Sequence, residues 1–388
     1  MRNPPLAVGI LVTLAIIVLM LLIVRHPQGS NHLRRQQESQ PPLPPPHAAS
    51  STSRPLSPPP KPVDVTVDFA GDCTFGTVNG DGGPGRFPTV FRQSHEKDYP
   101  FHLMHRWFDH DDLTVVNFEC TLTNAKGLAD KQWHFKGPAS YAGILTAGGV
   151  DVAGIANNHS HDYLQAGFDD TLANFKKARI PTFYQNTPYV TRIKGVDIVL
   201  IADCTVVGEN TTVIDGAPER VLGQIGKYKK PGNIVIVFMH WGSELDKSPR
   251  PWQVDLGHRF VDAGADAVVG AHPHVVQGIE TYNGKTIAYS LGNFAFGGNS
   301  HARYPETFIL RLKSHVVDGK AGPLAASIVP CWTTSSADGF VNNYRPQPVF
   351  GETAERVVGE VVDRSEALRD GVRTLTVARV TRENDDRQ

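Results

Sequence analysis

Short runs of β-branched and other apolar residues recur from residue 63 onward, and most of them stop at a polar or charged residue. Val65-Thr66-Val67-Asp68-Phe69-Ala70 leads into Gly71-Asp72, and Leu113-Thr114-Val115-Val116-Asn117-Phe118 leads into Glu119. Val152-Ala153-Gly154-Ile155-Ala156 runs into Asn157-Asn158-His159, and Val235-Ile236-Val237-Phe238-Met239 into His240-Trp241-Gly242. Ala265-Asp266-Ala267-Val268-Val269 runs into Gly270-Ala271-His272-Pro273-His274. Runs of this length and composition predict buried strands. Residues 196–202, 286–290 and 307–312 read as further strands. Helical spacing appears between them: 168–178, with Leu172, Phe175 and the downstream Ile180 on one side; 252–263, opened by Pro251 in its first turn; and 352–368, with Val357, Val358, Val361 and Val362 along one side. Strand and helix alternate and no internal repeat is visible, which predicts an α/β domain.

The N-terminal part follows a different pattern. Leu6 to Val24 carries no charged residue. As a helix, this run spans roughly 28 Å at about 1.5 Å per residue, close to the hydrocarbon thickness of a bilayer. A signal peptide has a shorter apolar core and ends at small residues. Here Val24 is followed by Arg25-His26-Pro27-Gln28, so the run reads as an uncleaved anchor over residues 1–26. Pro41-Pro42-Leu43-Pro44-Pro45-Pro46 and Pro55-Leu56-Ser57-Pro58-Pro59-Pro60 mark 27–62 as a Pro/Ser-rich disordered linker. Residues 63–380 form the folded domain and 381–388 a polar tail. Arg25, Arg34 and Arg35 follow the apolar run whereas Arg2 alone precedes it. Charge by itself would therefore place the domain in the cytoplasm.

A net charge of −1 over 388 residues argues against a protein that holds a polyanion such as nucleic acid by bulk charge, and leaves open an acidic substrate held at a metal. The four cysteines, Cys73, Cys120, Cys204 and Cys331, show no metal-type spacing. A Cys73–Cys120 disulfide is conceivable in an oxidising compartment, but buried free thiols are the expectation.

The strand-end residues change the picture most. In an open α/β sheet, ligands sit outside the carboxyl ends of the strands. Asp72, Glu119, Asn158, His240, His272 and His274 all fall there. Carboxylate, amide and imidazole together suit one or two divalent ions, and the imidazoles favour Mn, Fe or Zn over Ca or Mg. Singly, each has a plainer reading. Asp72 can cap the next element, Asn157 fits a turn, His161 is a polar neighbour, and Trp241 is either a packed aromatic or a pocket wall that binds substrate. Asn293 either binds substrate or orders the loop Ser290-Leu291-Gly292-Asn293-Phe294. His95, His102, His105, His110 and His301 lack such a context and read as surface groups.

The ordered set Ala70-Gly71-Asp72, Asn117-Phe118-Glu119, Ala156-Asn157-Asn158-His159-Ser160-His161-Asp162, Met239-His240-Trp241-Gly242, Gly270-Ala271-His272-Pro273-His274-Val275 and Ser290-Leu291-Gly292-Asn293-Phe294 resembles the CapA-type poly-γ-glutamate capsule-synthesis family. That family is related to the calcineurin-like metallophosphoesterases, and the resemblance covers roughly residues 63–296. It implies a four-layer α/β/β/α sandwich of metallophosphoesterase type and a domain on the outer face of the cell membrane. It also implies His159 as a general acid oriented by Asp162. Asp72-Cys73-Thr74 lacks the histidine of the parent Asp-x-His pattern, and Glu119 stands where the parent has a bridging aspartate. The first metal position is therefore poorer in nitrogen ligands. Three functions stay open. The chain is a membrane-anchored component of capsule or poly-γ-glutamate synthesis and export with a metal-dependent site, working beside a membrane synthase on an anionic polymer. Alternatively it is an extracytoplasmic phosphoesterase acting on a phosphate ester, or a non-enzymatic polymer-binding component.

Overall fold

The structure, a computed structural model, describes residues 62–207, 211–212 and 216–379. The anchor run Leu6–Val24, the linker up to residue 61 and the polar tail lie outside the described residues. Among the described residues, no helix is long and apolar enough to cross a membrane.

Two mixed sheets carry the domain. One runs, from edge to edge, Gln347–Pro348, Lys320–Trp332, Glu306–Val317, Val63–Thr74, Leu113–Phe118, Val152–Gly154 and Thr182–Phe183, with Asn293–Phe296 also paired to Val63–Thr74. The other runs Ile279–Tyr282, Lys285–Ala288, Ala267–Ala271, Ile234–His240, Val196–Cys204 and Tyr189–Ile193. In the first sheet the strands from Val63–Thr74 to the edge strand Thr182–Phe183 pair in parallel and those on the other side antiparallel; in the second sheet the central strands are parallel and both flanking ones antiparallel. The sequence shows why. Strands 113–118, 234–240 and 267–271 are buried along their whole length, as parallel strands covered on both faces must be.

Three apolar clusters fill the space around these sheets. One joins Val67, Phe69 and Val115 of the first sheet to Leu200, Ile236 and Val269 of the second, so the sheets pack on each other. Phe69 and Phe238 meet there edge to face, with ring centroids 5.6 Å apart. A second cluster covers the outside of the first sheet and draws on the helices Ala142–Ala147 and Leu164–Ala178. The third covers the outside of the second sheet with the helices Ala217–Tyr228 and Pro251–Asp262.

The expected strands are all present, with shifted ends. The run 265–269 becomes the strand Ala267–Ala271, so Gly270 and Ala271 lie inside it rather than beyond it. The helices read at 168–178, 252–263 and 352–368 are Leu164–Ala178, Pro251–Asp262 and Gly351–Ser365. Asp72 caps nothing, because it lies within the strand Val63–Thr74. All four cysteines are free thiols; Cys73, Cys120 and Cys331 are buried and Cys204 is half-buried.

Close backbone approach sets where the sheets end. A methyl group on Gly270 would lie 1.9 Å from the carbonyl oxygen of Tyr289 and 2.5 Å from Trp241 Nε1. Gly270→Ala should therefore destabilise the domain by roughly 1–3 kcal/mol through overpacking, read as a lower urea midpoint. Gly223 in the helix Ala217–Tyr228 has open space around it. Gly223→Ala should stabilise by up to about 1 kcal/mol through helix propensity.

Candidate metal centre

The carboxyl ends of the parallel strands of both sheets meet at one place. Asp72 is brought there by a bulge: between Ala70 and Asp72 the first strand advances two residues while its neighbour advances from Val116 to Asn117. The extra residue is Gly71, whose missing side chain lets the chain approach the carbonyl of Gly292; a Cβ would sit 2.0 Å from that oxygen. Bulges of this kind re-aim a side chain. Asp72 N donates to Gly292 O at 3.0 Å, and the Asp72 carboxylate points at the next strand end.

Asn117 lies at the centre. Its Nδ2 is 2.8 Å from Asp72 Oδ1, 2.7 Å from Glu119 Oε1 and 3.2 Å from His240 Nδ1. His240 Nε2 is 2.9 Å from Asn158 Oδ1. His274 Nδ1 is 3.2 Å from Asp72 Oδ2, and its Nε2 is 4.0 Å from Glu119 Oε2. Asp72, Glu119 and His274 each offer a ligand atom within 4.8 Å of the others. The His272 ring lies between those of His240 and His274, at centroid distances of 4.7 and 5.8 Å. The six residues read as ligands in the sequence thus share one site.

His272 and His274 both have positive φ, 97° and 57°. Non-glycine residues held there store strain, and such strain gathers at functional sites. Here the turn through Pro273 brings the imidazoles of His272 and His274 into one space, with ring centroids 5.8 Å apart, while His272 N donates to Asp72 Oδ2 at 3.2 Å.

The electrostatics are compatible with a cation. Asp72, Glu119 and His272 are fully buried, and a buried charge without a partner is expensive. Burial, then the charge of Asp72, push Glu119 well above the usual carboxylate range. Burial opposes charge on Asp72 and His274 as well. The hydrogen bond and the charge attraction between them, with the neighbouring hydrogen bonds, together outweigh it, so Asp72 falls and His274 rises. Burial, then the charge of His274, lower His272 from 6.5 to about 3. Burial and the neighbouring His272 take His240 well below its ordinary value. Neutral imidazoles are what a metal requires of its ligands. Both nitrogens of His272 and Glu119 Oε2 are buried with no hydrogen-bond partner. These orphaned atoms fit a divalent ion and nothing else in the site satisfies them.

Beside this set, His159 Nδ1 is 2.9 Å from Asp162 Oδ2. Lys131 forms an ion pair with Asp162 and lies 3.1 Å from His159 Nδ1 and 2.9 Å from the Asn158 carbonyl. Burial lowers His159 against the pull of Asp162. Phe135 packs on the His159 ring at 4.5 Å, and its backbone N–H donates to Asp162. A cleft of about 380 Å³ opens here, lined by Trp133, Phe135, His159, His274 and Asn293 among others.

The remaining site readings divide. Asn293 lines the cleft, and its Oδ1 is 2.9 Å from His274 Nδ1, so it orders the ligand loop and faces the cleft at once. Trp241 does not reach the cleft. It is fully buried in the outer cluster of the second sheet, where Nε1 donates to Tyr289 O at 2.9 Å. It is a core side chain, not a substrate-binding wall. His301 is exposed, as its reading as a surface group expects, and it also lines the cleft. Asn157 binds the backbone of Phe118 and His159, as a turn residue does. His161 stacks on Phe168. Lys131 and the bridging role of Asn117 were not read from the sequence. Asn117 sits in a recognised motif one alternation before Glu119, a usable signal. Lys131 lies in a polar loop with none.

Residues 66–298 match the family described as bacterial capsule synthesis protein PGA_cap. The chain belongs to this family. It is 33% identical over 245 residues to the PGA biosynthesis protein CapA of Bacillus subtilis, covering 59% of this chain and 64% of that one. It is 34% identical over 242 residues to the capsule biosynthesis protein CapA of Bacillus anthracis, covering 57% and 59%. Both matches span less than two thirds of the relative's own length. Among solved structures, a phosphatase of Mycoplasma pneumoniae aligns over 69% of this chain and 94% of that one at 15% identity, with a TM-score of 0.41. That likeness is too loose to bear on function.

Two outcomes follow. His272→Ala and His274→Ala should each lose bound transition metal, measured by elemental analysis of folded protein, while the wild type retains it. In the metal-stripped protein, His272 is neutral when folded and takes up its proton on unfolding anywhere between about pH 3 and 6.5. The unfolded state binds more protons in that window, so this residue's contribution makes stability rise with pH. His272→Gln should flatten the rise in urea midpoint over that window relative to the wild type.

Proposed function

We propose that this chain is a membrane-anchored, CapA-type protein of capsule or poly-γ-glutamate assembly, and that its cleft performs metal-dependent hydrolysis of a phosphoesterase-like kind. Family membership and the names of the two Bacillus relatives support the biological setting. The observation that carries the chemistry is the buried His272, both nitrogens unpartnered, beside the two buried carboxylates.

Asp72, Glu119, Asn158, His240, His272 and His274 would hold one or two divalent transition ions, Mn, Fe or Zn. Such ions, when bound, polarise a phosphoryl or acyl oxygen and acidify water. The chain's own groups supply the rest. His159 engages Asp162 and Lys131 through Nδ1; Nε2 is left free, and once the ring has taken up a proton from solvent it would pass that proton to the departing oxygen. Asp162 fixes the tautomer of that ring. Trp133 and Phe135 wall the cleft on the same side and limit water around the leaving group. Asn293 holds His274 in place. In this reading residues 1–26 anchor the chain in the cell membrane and 27–62 hold the domain off its outer face. The substrate is an anionic exopolymer or a phosphate ester, and the partner is a membrane synthase or export complex.

His159→Ala should keep its metal and lose turnover by roughly 10²–10⁴-fold on substrates with poor leaving groups. The loss should shrink where the leaving group needs no proton. An unchanged rate on a poor leaving group removes the assignment. Metal-dependent polymer binding by a wild type that turns nothing over replaces the hydrolytic reading with a binding component.

A further inference from the structure

The segment that follows the helix Phe87–Ser94 carries a second group of metal-type side chains. Phe101, Met104, Trp107 and Phe108 are buried against the outer face of the first sheet. This pins a short 3-10 turn, His102–Met104, and the helical turn His105–Phe108 that follows it. The opposite side of the same segment displays His102 and His105. His102 Nδ1 and His105 Nε2 each lie 2.9 Å from one oxygen, Asp98 Oδ2. The two rings stand nearly perpendicular, with centroids 6.2 Å apart. Glu96 Oε2 is 4.0 Å from His102 Nδ1, and Glu96, Asp98 and His102 offer ligand atoms within 4.8 Å of one another. That Glu96 oxygen is buried and makes no hydrogen bond, although Arg345 Nη2 stands 3.2 Å away as an ion-pair partner. None of these residues lines the cleft.

We propose that Asp98, His102 and His105, with Glu96 at the edge, form a second transition-metal site on the outer surface of the domain, separate from the cleft. Two imidazoles and a carboxylate are a donor set for zinc-type ions rather than for calcium or magnesium. Two ring nitrogens already converge on one carboxylate oxygen. An ion with bonds of about 2.0–2.1 Å takes the place of the two N–H···O contacts after small side-chain rotations on an exposed surface. Behind His105, Asp109 Oδ1 lies 3.3 Å from Nδ1. A carboxylate in that position fixes the tautomer that leaves Nε2 as the ligand atom. Arg345 pairs with Glu96 and also lies over the Tyr99 ring, so Glu96 serves the rim while Asp98 and the two histidines hold the ion. Such an ion ties residues 96–105 to one another over the sheet they cover.

The test is the zinc stoichiometry of the untagged full-length chain after chelation and reloading. It is measured for the wild type, for His102→Ala/His105→Ala, and for each of these combined with His272→Ala. The double variant should hold about one zinc fewer than its parent in both backgrounds. The His272→Ala chain should still bind one zinc and gain thermal stability from it. Equal zinc in parent and double variant, in either background, overturns the proposal whatever the cleft binds. Should the double variant fail to fold, Asp98→Asn must show the same loss with an unchanged circular dichroism spectrum; full zinc in that variant also overturns it.

Discussion

Two carboxylates buried beside each other are the constraint on which the rest of this structure depends. Asp72 and Glu119 have no solvent contact, and the Asn117 amide bridges them. Such a pair does not hold both negative charges unaided. The hydrogen bond with His274 favours the charge on Asp72, but Glu119 stays pushed toward its neutral form. The surrounding architecture assembles an answer from both sheets: three imidazoles and an amide oxygen, with both nitrogens of His272 left unpartnered. The bulge at Gly71 and the strained turn through His272 and His274 make sense as devices that hold these groups against their own repulsion and desolvation.

The second layer around the site explains its asymmetry. One wall is built of ligands on strand ends. The other wall comes from a small sheet, Thr77–Val78, Phe135–Gly137 and Thr121–Leu122, and from the loop that carries Lys131. This wall supports His159 rather than the ligands: Phe135 packs on the ring, and Lys131 holds Asp162 and the carbonyl of Asn158. Charge neutralisation and proton handling are thus carried by different elements.

The proposed ligand set was largely legible in the sequence because a buried parallel strand is a short apolar run, and its candidate residue is the first polar one after it. Asp72, Glu119, His240 and His272 announce themselves in that way, whereas Asn158 comes after Asn157 and His274 lies two residues past His272. Other parts were hidden for physical reasons. Lys131 acts from a loop whose course is set by tertiary contacts. Trp241 follows the ligand His240 directly, yet the strand geometry sends the two side chains to opposite faces, one to the site and one to the core. The strand Lys320–Trp332 contains Gly322, Pro323 and Pro330, residues that argue against a strand. It forms because it pairs antiparallel along the strand Glu306–Val317. The helix Ala217–Tyr228 includes Gly223 and Gly226 and buries few large apolar residues, chiefly Val221 and Ile225, which is too weak a stripe to read.

The central claim is that a transition metal sits among imidazoles and carboxylate oxygens at the meeting point of the two sheets. X-ray absorption at the edge of the metal copurifying with the His102→Ala/His105→Ala chain tests it most directly, because only the cleft then contributes. The account predicts a first shell of nitrogen and oxygen at about 2.0–2.2 Å, with the outer-shell scattering of at least two imidazoles and no sulfur. A sulfur shell at about 2.3 Å, which would implicate Cys73 or Cys120, or a spectrum without imidazole scattering, would contradict it.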